Sequence, residues 1–324
     1  MAAKDRKQLI EKIEAHRQAK LICCVTSDRP NATGAIAKDF LTYFFNHLRR
    51  FESSNNLDIF LFTTGGDTLA AYALNRFLRR FCKSLGVLIP HWCHSAGTLF
   101  ALGANQIFMT RLATLSAIDP SIIGPLNPQV EPTPGQRIPV PVGVESVIGF
   151  KTAVREDWRL DEEGTAVALR QLTERVNPLL LGDLYRSREQ IVRLATTLMK
   201  KHRPEDEDKI RSIVDTLATK LGSHDYLIGS EEARELMGTQ ILEEDEVLER
   251  LLWDLYSDFA AEMELGTTFN PAVEVQNAIA TRVPVKRTLR LVVIESLVQS
   301  DTWERELLFP LPPTQPQMLR DGWV

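Results

Sequence analysis

Apolar and amphipathic stretches alternate along the first third of the chain. Short apolar runs are each followed by a turn rich in glycine or small polar residues, and then by apolar positions at helical spacing. The pattern predicts strand 21–25, helix 35–50, strand 58–63, helix 69–81, strand 85–90, helix 95–104 and strands 106–109 and 114–118. This alternation favours an α/β class, with a mainly parallel sheet that carries helices on its faces.

The remaining residues are predicted to be mainly helical. Residues 120–142 are rich in proline and carry no periodic pattern, which predicts an irregular loop or arm. Beyond them and at the start of the chain, the predicted helices are 4–19, 144–158, 162–176, 182–201, 206–221, 243–263 and a short helix with Ser230 as its N-cap. A strand-like run at 287–298 precedes a proline-rich tail that cannot continue a ladder of strands.

Composition narrows the class of protein. The chain has 324 residues, of which 44% are hydrophobic and 25% are charged, and these are ordinary globular values. Its apolar runs are far shorter than a membrane span. Because 38 Lys and Arg face 43 Asp and Glu, the net charge is −5, and no overall positive field exists to attract nucleic acid. We therefore expect no nucleic-acid partner and no membrane span.

The cysteines and the first residues predict a cytoplasmic location. Cys23, Cys24, Cys82 and Cys93 form no Cys-x-x-Cys pair and have no histidines at metal-ligand spacing. They predict reduced thiols, and no metal or other cofactor is expected. The first twenty residues are charged throughout and lack the apolar segment of a secretory signal.

Two turns at predicted strand ends are candidates for chemistry. Thr63-Thr64-Gly65-Gly66-Asp67 precedes a helix, and its glycines allow backbone N–H groups to approach a ligand closely. The sequence Cys-His-Ser-Ala-Gly-Thr at 93–98 places Ser95 at the start of the next helix. Each turn has a structural alternative, since glycine pairs make tight turns and serine is a common N-cap. Both turns fall at the carboxyl ends of neighbouring strands, where open parallel sheets build their sites.

These motifs resemble the serine dehydrogenase proteinase family, relatives of signal peptide peptidase A within the Clp protease/crotonase fold. The family carries a Thr-Pro-Gly-Gly turn, a Ser-Ala-Gly-Thr-Leu helix start, an Asp-Pro-Gln motif and a later His-Asp-Tyr-Pro-Ile segment. This chain has TTGG at 63–66, SAGTL at 95–99, AIDPSI at 117–122 and HDYLI at 224–228. It departs from the family where Thr64 and Leu227 replace prolines and Ser121 replaces glutamine. The resemblance implies a Clp protease/crotonase-like parallel sheet flanked by helices, with a helical second half.

The resemblance also implies roles for individual residues. Ser95 would be the nucleophile, and the backbone N–H groups of Gly66 and Ala96 would form an oxyanion hole, with Gly65 allowing the turn. Two such donors aimed at one developing oxyanion are physically coherent with that chemistry. Similar proteins form rings or stacked oligomers, which implies a homo-oligomer.

The general base is open to several interpretations. Where Clp proteolytic subunits have a histidine, this chain has Asp119, which cannot deprotonate a serine well at neutral pH. Signal peptide peptidases use Ser-Lys dyads, and Lys151, the only lysine between Lys83 and Lys200, has a similar spacing from Ser95. A surface helix lysine is the alternative interpretation.

Three further polar residues are candidates for supporting roles. His94 adjoins Ser95 and is interpreted as a packing residue or a donor behind the site. Asp119 is interpreted as a turn residue. His224, beside Asp225, is a second candidate base, for which a structural role is favoured.

The leading hypothesis is a serine peptidase that hydrolyses peptide bonds in a polypeptide substrate. A catalytically inactive assembly or binding module of the same fold is the alternative, because the triad histidine is missing and the TTGG turn is altered. A crotonase-like acyl-CoA enzyme would need a carboxylate base and a pantetheine tunnel, and no motif indicates them. An α/β-hydrolase is disfavoured because Cys93 occupies the first glycine position of the nucleophile elbow.

The expected domain organisation follows from the extent of the resemblance. Residues 1–19 form an N-terminal helix, residues 20–240 form the Clp/crotonase-like domain, and residues 241–324 form a C-terminal extension.

Overall fold

The computed structural model describes residues 3–51, 54–118, 121–122, 124–133, 135–202, 206–312 and 314–324. Its helices are α1 (Ala3–Arg17), α2 (Phe40–Leu48), α3 (Thr68–Leu78), α4 (Ala96–Leu102), α5 (Val144–Thr152), α6 (Glu162–Arg175), α7 (Pro178–Met199), α8 (Glu207–Asp215), α9 (Ser230–Met237), α10 (Glu246–Met263) and α11 (Pro271–Thr281). Short π-helical turns at Ala153–Asp157 and Thr216–Lys220 extend α5 and α8, and a 3₁₀ turn at Gly238–Gln240 follows α9.

The strands are β1 (Lys20–Thr26), β2 (Asp28–Arg29), β3 (Ala32–Thr33), β4 (Asn56–Phe62), β5 (Ser84–Ile89), β6 (Trp92–Cys93), β7 (Gln106–Met109), β8 (Thr114–Ser116), β9 (Ser121–Ile122), β10 (Gln129–Thr133), β11 (Gln136–Pro139), β12 (Val142–Gly143), β13 (Leu227–Ile228), β14 (Val285–Glu295), β15 (Ser300–Phe309) and β16 (Gln317–Trp323). The chain divides into a first unit, residues 1–115 and 228–324, and a second unit, residues 116–227.

The first unit is built on a seven-stranded sheet in the order β16-β15-β14-β1-β4-β5-β7. Strands β1, β4, β5 and β7 are parallel, while β14, β15 and β16 join antiparallel on the far side of β1. The parallel strands are almost entirely buried, as expected for a sheet covered on both faces. The predicted α/β class and its parallel core strands are confirmed.

Helices α1 and α10 cover one face of this sheet. Ile10 and Ile13 of α1 are fully buried and share a core cluster with Leu252, Leu255 and Phe259 of α10. The amphipathic helix predicted over residues 4–19 is therefore confirmed.

Several predicted boundaries in the first unit need correction. The helix predicted over 35–50 begins only at Phe40, because Ile36 is extended and forms a parallel bridge with Gly66. Gly229, and not Ser230, is the N-cap of α9. A single helix was predicted after residue 240, but α11 is a second one, with Pro271 at its first turn and Asn270 as its cap.

The C-terminal residues also contribute more to the sheet than their sequence predicts. The strand-like run is β14, but β15 and β16 are not predicted, since their residues are polar and only partly buried. The proline-rich stretch at 310–316 connects these two strands, which agrees with the expectation that it cannot join a ladder. The boundaries predicted at residues 19 and 240 stay predictions, because the two units are defined by contacts within this chain and not by independent folding.

The second unit is mainly helical. Leu180 and Leu184 of α7 pack with Val144 of α5 in a small core. The irregular loop expected over 120–142 is wrong in part, since β10 and β11 form an antiparallel hairpin there. Proline is tolerated because both strands of a two-stranded hairpin are edges.

A buried cluster of charges ties α1 to the rest of the first unit. The Arg6 guanidinium contacts Asp258 at 2.5 Å and Glu295 at 2.9 Å, and it also binds Glu262. The Arg6, Asp258 and Glu295 side chains are each 6% exposed or less. Removing one member of such a cluster leaves uncompensated buried charge.

We expect Arg6→Met to lower the free energy of unfolding by about 3–5 kcal/mol, because it leaves Asp258 and Glu295 buried without their cation. The measurement is urea unfolding followed by circular dichroism. Lys7→Met, at an exposed position of the same helix, is the control and should change stability by no more than about 0.5 kcal/mol. Equal midpoints for the two variants would contradict a stabilising role of the cluster.

Candidate active site

The glycine turn after β4 has a backbone that only glycine adopts readily. Gly65 has φ 123° and Gly66 has φ 143°, a region that is strained for residues with a Cβ. A Cβ on Gly66 would lie 2.4 Å from the carbonyl oxygen of Ile36. Asp67 ends the turn as the N-cap of α3, where its Oδ1 accepts from Leu69 N at 2.8 Å. Asp67 therefore caps α3 with its side chain.

Ile36 fixes this turn from the side of β1. Its N–H donates to Gly65 O at 2.9 Å, and Asp67 N–H donates to Ile36 O at 2.9 Å. Both partners flank Gly66, so the N–H of Gly66 points away from Ile36. Sequence reasoning missed Ile36 because its apolar side chain fits the helical spacing that continues into α2.

Ser95 occupies a strained position at the start of α4. Its φ of 52° and ψ of −113° match the first central residue of a type II′ turn, a position usually taken by glycine. Gly97 N–H donates to His94 O at 2.8 Å, which closes that turn. The Ser95 side chain makes no capping hydrogen bond to α4. A simple N-cap role, the structural alternative for Ser95, is therefore not what the side chain does.

The two turns meet at the ends of β4 and β6. Thr63 N–H donates to Trp92 O at 2.9 Å, and His94 N–H donates to Thr63 O at 3.0 Å. A Cβ on Gly65 would lie 2.9 Å from the Ser95 Cβ and 3.4 Å from Ala96 N. The glycine turn and the serine turn are thus in contact, as their placement at neighbouring strand ends predicts.

Two backbone donors remain available at this junction. Among the residues that the structure describes, the N–H groups of Gly66 and Ala96 donate no hydrogen bond. The N–H groups of Gly65 and Gly97 are used within the turns, and the N–H of Asp67 donates to Ile36 O. Ala96 N–H is also one of the first N–H groups of α4, which have no partner within the helix.

The histidines that precede Ser95 contact other side chains of the first unit. His94 Nε2 lies 2.8 Å from Thr114 Oγ1, and its ring stacks on Trp92 with centroids 5.7 Å apart. Burial raises the pKa of the Cys93 thiol well above its ordinary value, so it is not a thiolate nucleophile. Burial also lowers the pKa of His91, which contacts Tyr256.

The candidate bases lie in the other part of the chain. Lys151 is in the last turn of α5, in the second unit, and its side chain is exposed. It borders a cleft of about 270 Å³ whose apolar lining includes Phe150, Val154 and Leu169. His224 is half-buried and also belongs to the second unit. Asp119 lies outside the described residues, so the pairing of Ser95 with a base stays a prediction.

Part of the chain matches a known protein family. Residues 1–138 match the sequence model of a family described as ClpP-like SDH-type serine proteinase. The match includes both turns, and it confirms the resemblance to the serine dehydrogenase proteinase family over this part of the chain. Together with the parallel strands of the first unit, it confirms the predicted Clp protease-like α/β fold and gives the chain a peptidase-like scaffold.

The curated relatives are themselves without an assigned function. An uncharacterized protein of Methanocaldococcus jannaschii is 29% identical over 181 residues, which are 56% of this chain and 51% of that protein. A second uncharacterized protein of the same organism is 35% identical over 66 residues, 20% of this chain and 23% of that protein. This chain spans about half the length of the first relative and less of the second.

Solved structures of proteases are similar at low sequence identity. A variant of the 1510-N membrane-bound stomatin-specific protease is 16% identical, with a TM-score of 0.39, over 66% of this chain and 77% of that chain. A ClpP1 variant from Listeria monocytogenes is 12% identical, with a TM-score of 0.36, over 73% of this chain and 98% of that chain. These scores are too low to carry conclusions about the site.

The described residues offer neither a metal site nor a membrane-spanning helix. No group of three or more His, Cys, Asp or Glu side chains there could hold a metal ion. None of the helices in the described ranges has the length and apolar character needed to cross a membrane.

We expect Gly66→Ala to destabilise the protein by at least about 2 kcal/mol, since a strained φ alone costs about 1–3 kcal/mol and the new Cβ meets the Ile36 backbone. Thermal or urea unfolding measures the change. Thr64→Ala, at an exposed position of the same turn, should stay within about 0.5 kcal/mol of the wild type. If both variants are equally stable, the turn is more adaptable than its geometry indicates.

Proposed function

We propose that the chain is a serine peptidase that hydrolyses peptide bonds in polypeptide substrates through Ser95. The observation that carries this proposal is the contact between the Gly65–Gly66 turn and the Ser95 turn, with two N–H groups left over at their junction. The family match over residues 1–138 supports the same class of reaction. In this reaction the Ser95 hydroxyl gives its proton to the base and attacks the peptide carbonyl, the C–N bond breaks, and the amine leaves with that proton. Water then hydrolyses the acyl-enzyme ester, which releases the carboxylic acid and restores the Ser95 hydroxyl.

The oxyanion hole in this proposal consists of Gly66 N–H and Ala96 N–H. The negative charge that develops on the carbonyl oxygen needs donors that are already in place, since such donors need no reorganisation during the reaction. Loss of one such donor typically costs about 3–4 kcal/mol of transition-state stabilisation. The hydrogen bonds of Ile36 to Gly65 and Asp67 support this role because they hold the backbone on either side of Gly66.

Lys151 is the proposed base, in a Ser-Lys dyad. An amine serves as a base only when it is deprotonated, which usually requires an environment that excludes water. The apolar side chains beside Lys151 support such an environment, although the lysine is exposed within its own unit. Binding of substrate, or of a second copy of the chain, over this surface would exclude the remaining water from the Lys151 amine.

A homo-oligomer and a cytoplasmic location belong to the same proposal. Helix α6 buries none of its side chains and exposes Val167 and Leu169, which supports contact with another copy. The four cysteines are unpaired, and three of them are buried, which supports a reducing compartment. If light scattering at micromolar concentration shows a monomer, the proposal of a homo-oligomer is wrong.

We expect a fluorophosphonate probe to label the wild-type protein at Ser95, because the probe reacts with activated serine hydroxyls and its oxygen occupies the oxyanion hole. Ser95→Ala should abolish labelling. Ser212→Ala, at an exposed helical serine, is the matched control and should label like the wild type. A folded wild type that resists labelling, with Ser95→Ala indistinguishable from it, would favour the inactive assembly or binding module.

The same probe tests the base. Lys151→Met keeps the length of the side chain and removes the amine, so we expect the labelling rate to fall roughly 100-fold or more, as general-base loss typically does. Lys201→Met, at another exposed lysine of the second unit, should leave the rate unchanged. Wild-type labelling by Lys151→Met would contradict the dyad while leaving Ser95 as the nucleophile.

A further inference from the structure

The hydroxyl of Thr63 has all of its hydrogen-bonding capacity engaged at the glycine turn. Thr63 Oγ1 accepts from Thr26 Oγ1 at 2.8 Å and from Gly65 N at 3.0 Å, and it donates to Gly65 O at 3.2 Å. A hydroxyl offers one donor and two acceptor positions, so these three bonds use all of them. Thr26 and Thr63 are both fully buried, and water does not substitute for either hydroxyl.

Both polar groups of Gly65 depend on that hydroxyl. Its N–H has Thr63 Oγ1 as its partner, and its carbonyl oxygen accepts from Thr63 Oγ1 and from Ile36 N. Gly65 is the residue at which the chain leaves the direction of β4, and Gly66 follows directly. The orientation of the Gly66 N–H is therefore set by a side chain two residues before Gly65.

The other parts of Thr63 hold the serine turn. Its backbone N–H and carbonyl pair with Trp92 O and His94 N. Its methyl group occupies the space beside Gly97, where a Cβ would lie 2.5 Å from Thr63 Cγ2. One residue thus contacts the glycine turn through its hydroxyl, the segment before Ser95 through its backbone, and the helix after Ser95 through its methyl.

We propose that Thr63 is a positioning residue that sets the separation between the Gly66 N–H and Ser95. This inference rests on the proposed function, because the separation matters only if both groups act on one substrate carbonyl. Misplacement of a reacting group by about 1 Å can cost roughly 100-fold in rate. Thr63 touches no substrate atom in this scheme and acts only through the two turns.

The test compares Thr63→Val with Thr63→Ser. Valine keeps the methyl beside Gly97 and removes the hydroxyl, whereas serine keeps the hydroxyl and removes the methyl. Labelling of Ser95 by a fluorophosphonate is followed at several probe concentrations, which separates the maximal rate constant from the half-saturating concentration. We expect Thr63→Val to lower the maximal rate constant roughly 10- to 100-fold with little change in half-saturation, and Thr63→Ser to stay within about threefold of the wild type.

Two additional variants keep the test independent of general stability. Thr110→Val removes another buried hydroxyl of the first unit, one that donates to Pro90 O at 2.7 Å, and it should label at the wild-type rate. Thr26→Val removes the donor to Thr63 without touching the turn itself, and it should give an intermediate loss. If Thr63→Val does not fold, Thr26→Val carries the comparison with Thr110→Val.

Hydrogen exchange of the segment around residues 60–68 provides a readout that does not need activity. Loss of the Thr63 hydroxyl leaves the Gly65 N–H without its partner, so its exchange should accelerate about tenfold or more in Thr63→Val and not in Thr110→Val. A smaller acceleration is expected in Thr26→Val, because the Gly65 N–H keeps the Thr63 hydroxyl as its acceptor there.

The outcomes separate the two proposals. Wild-type labelling rates in Thr63→Val and Thr26→Val, or equal losses in Thr63→Val and Thr63→Ser, would overturn the positioning role and leave the proposed function intact. If the wild type is not labelled, the proposed function fails. Unchanged exchange in Thr63→Val would then overturn the role of the hydroxyl in holding the turn as well, and faster exchange would support that part alone.

Discussion

Two hydrogen bonds between the ends of neighbouring strands hold the candidate site together. Thr63 pairs with Trp92 and His94 at the edge of the sheet where β4 and β6 end. Directly after this pairing, the segment after β4 turns into α3 and the segment after β6 turns into α4. The positive φ values of Gly65, Gly66 and Ser95 make these two turns possible. Such conformations persist only where the surroundings determine them. The buried ladder of β1, β4 and β5 supplies that rigidity.

The two turns could be predicted from sequence because their determinants are local. Glycine pairs and small residues after an apolar run indicate a close approach of backbone, and the carboxyl ends of parallel strands share one edge. The partners of these turns could not be predicted. Ile36 lies about thirty residues before Gly66, and its apolar spacing with Phe40 and Phe44 is typical of a helix, so a local pattern cannot reveal its bridge.

The fold shows the same division between local and distant determinants. The parallel strands are continuous apolar runs, which fully buried strands require, and so the first third of the chain could be predicted closely. Strands β15 and β16 are polar and partly exposed. They are strands because β15 pairs with β14 and β16 pairs with β15. The prolines between β15 and β16 are typical of an unstructured tail, because proline cannot donate a hydrogen bond to a neighbouring strand. This local pattern does not reveal that a strand lies on either side of it. The choice among candidate bases for Ser95 depends on contacts between side chains distant in sequence, which spacing cannot predict.

The pairing of β1 with β14 has a consequence for the order of folding. Thr26 lies opposite Val292, so the central strand acquires one of its two neighbours only after most of the chain has been synthesised. At ordinary rates of translation that interval is on the order of tens of seconds. Contacts so distant in sequence also slow folding, because the intervening chain loses conformational entropy before the pairing of the two strands stabilises the fold. The Ser95 turn is encoded early, yet the sheet beneath it is completed late, so the turn gains its full support only after β14 has been synthesised.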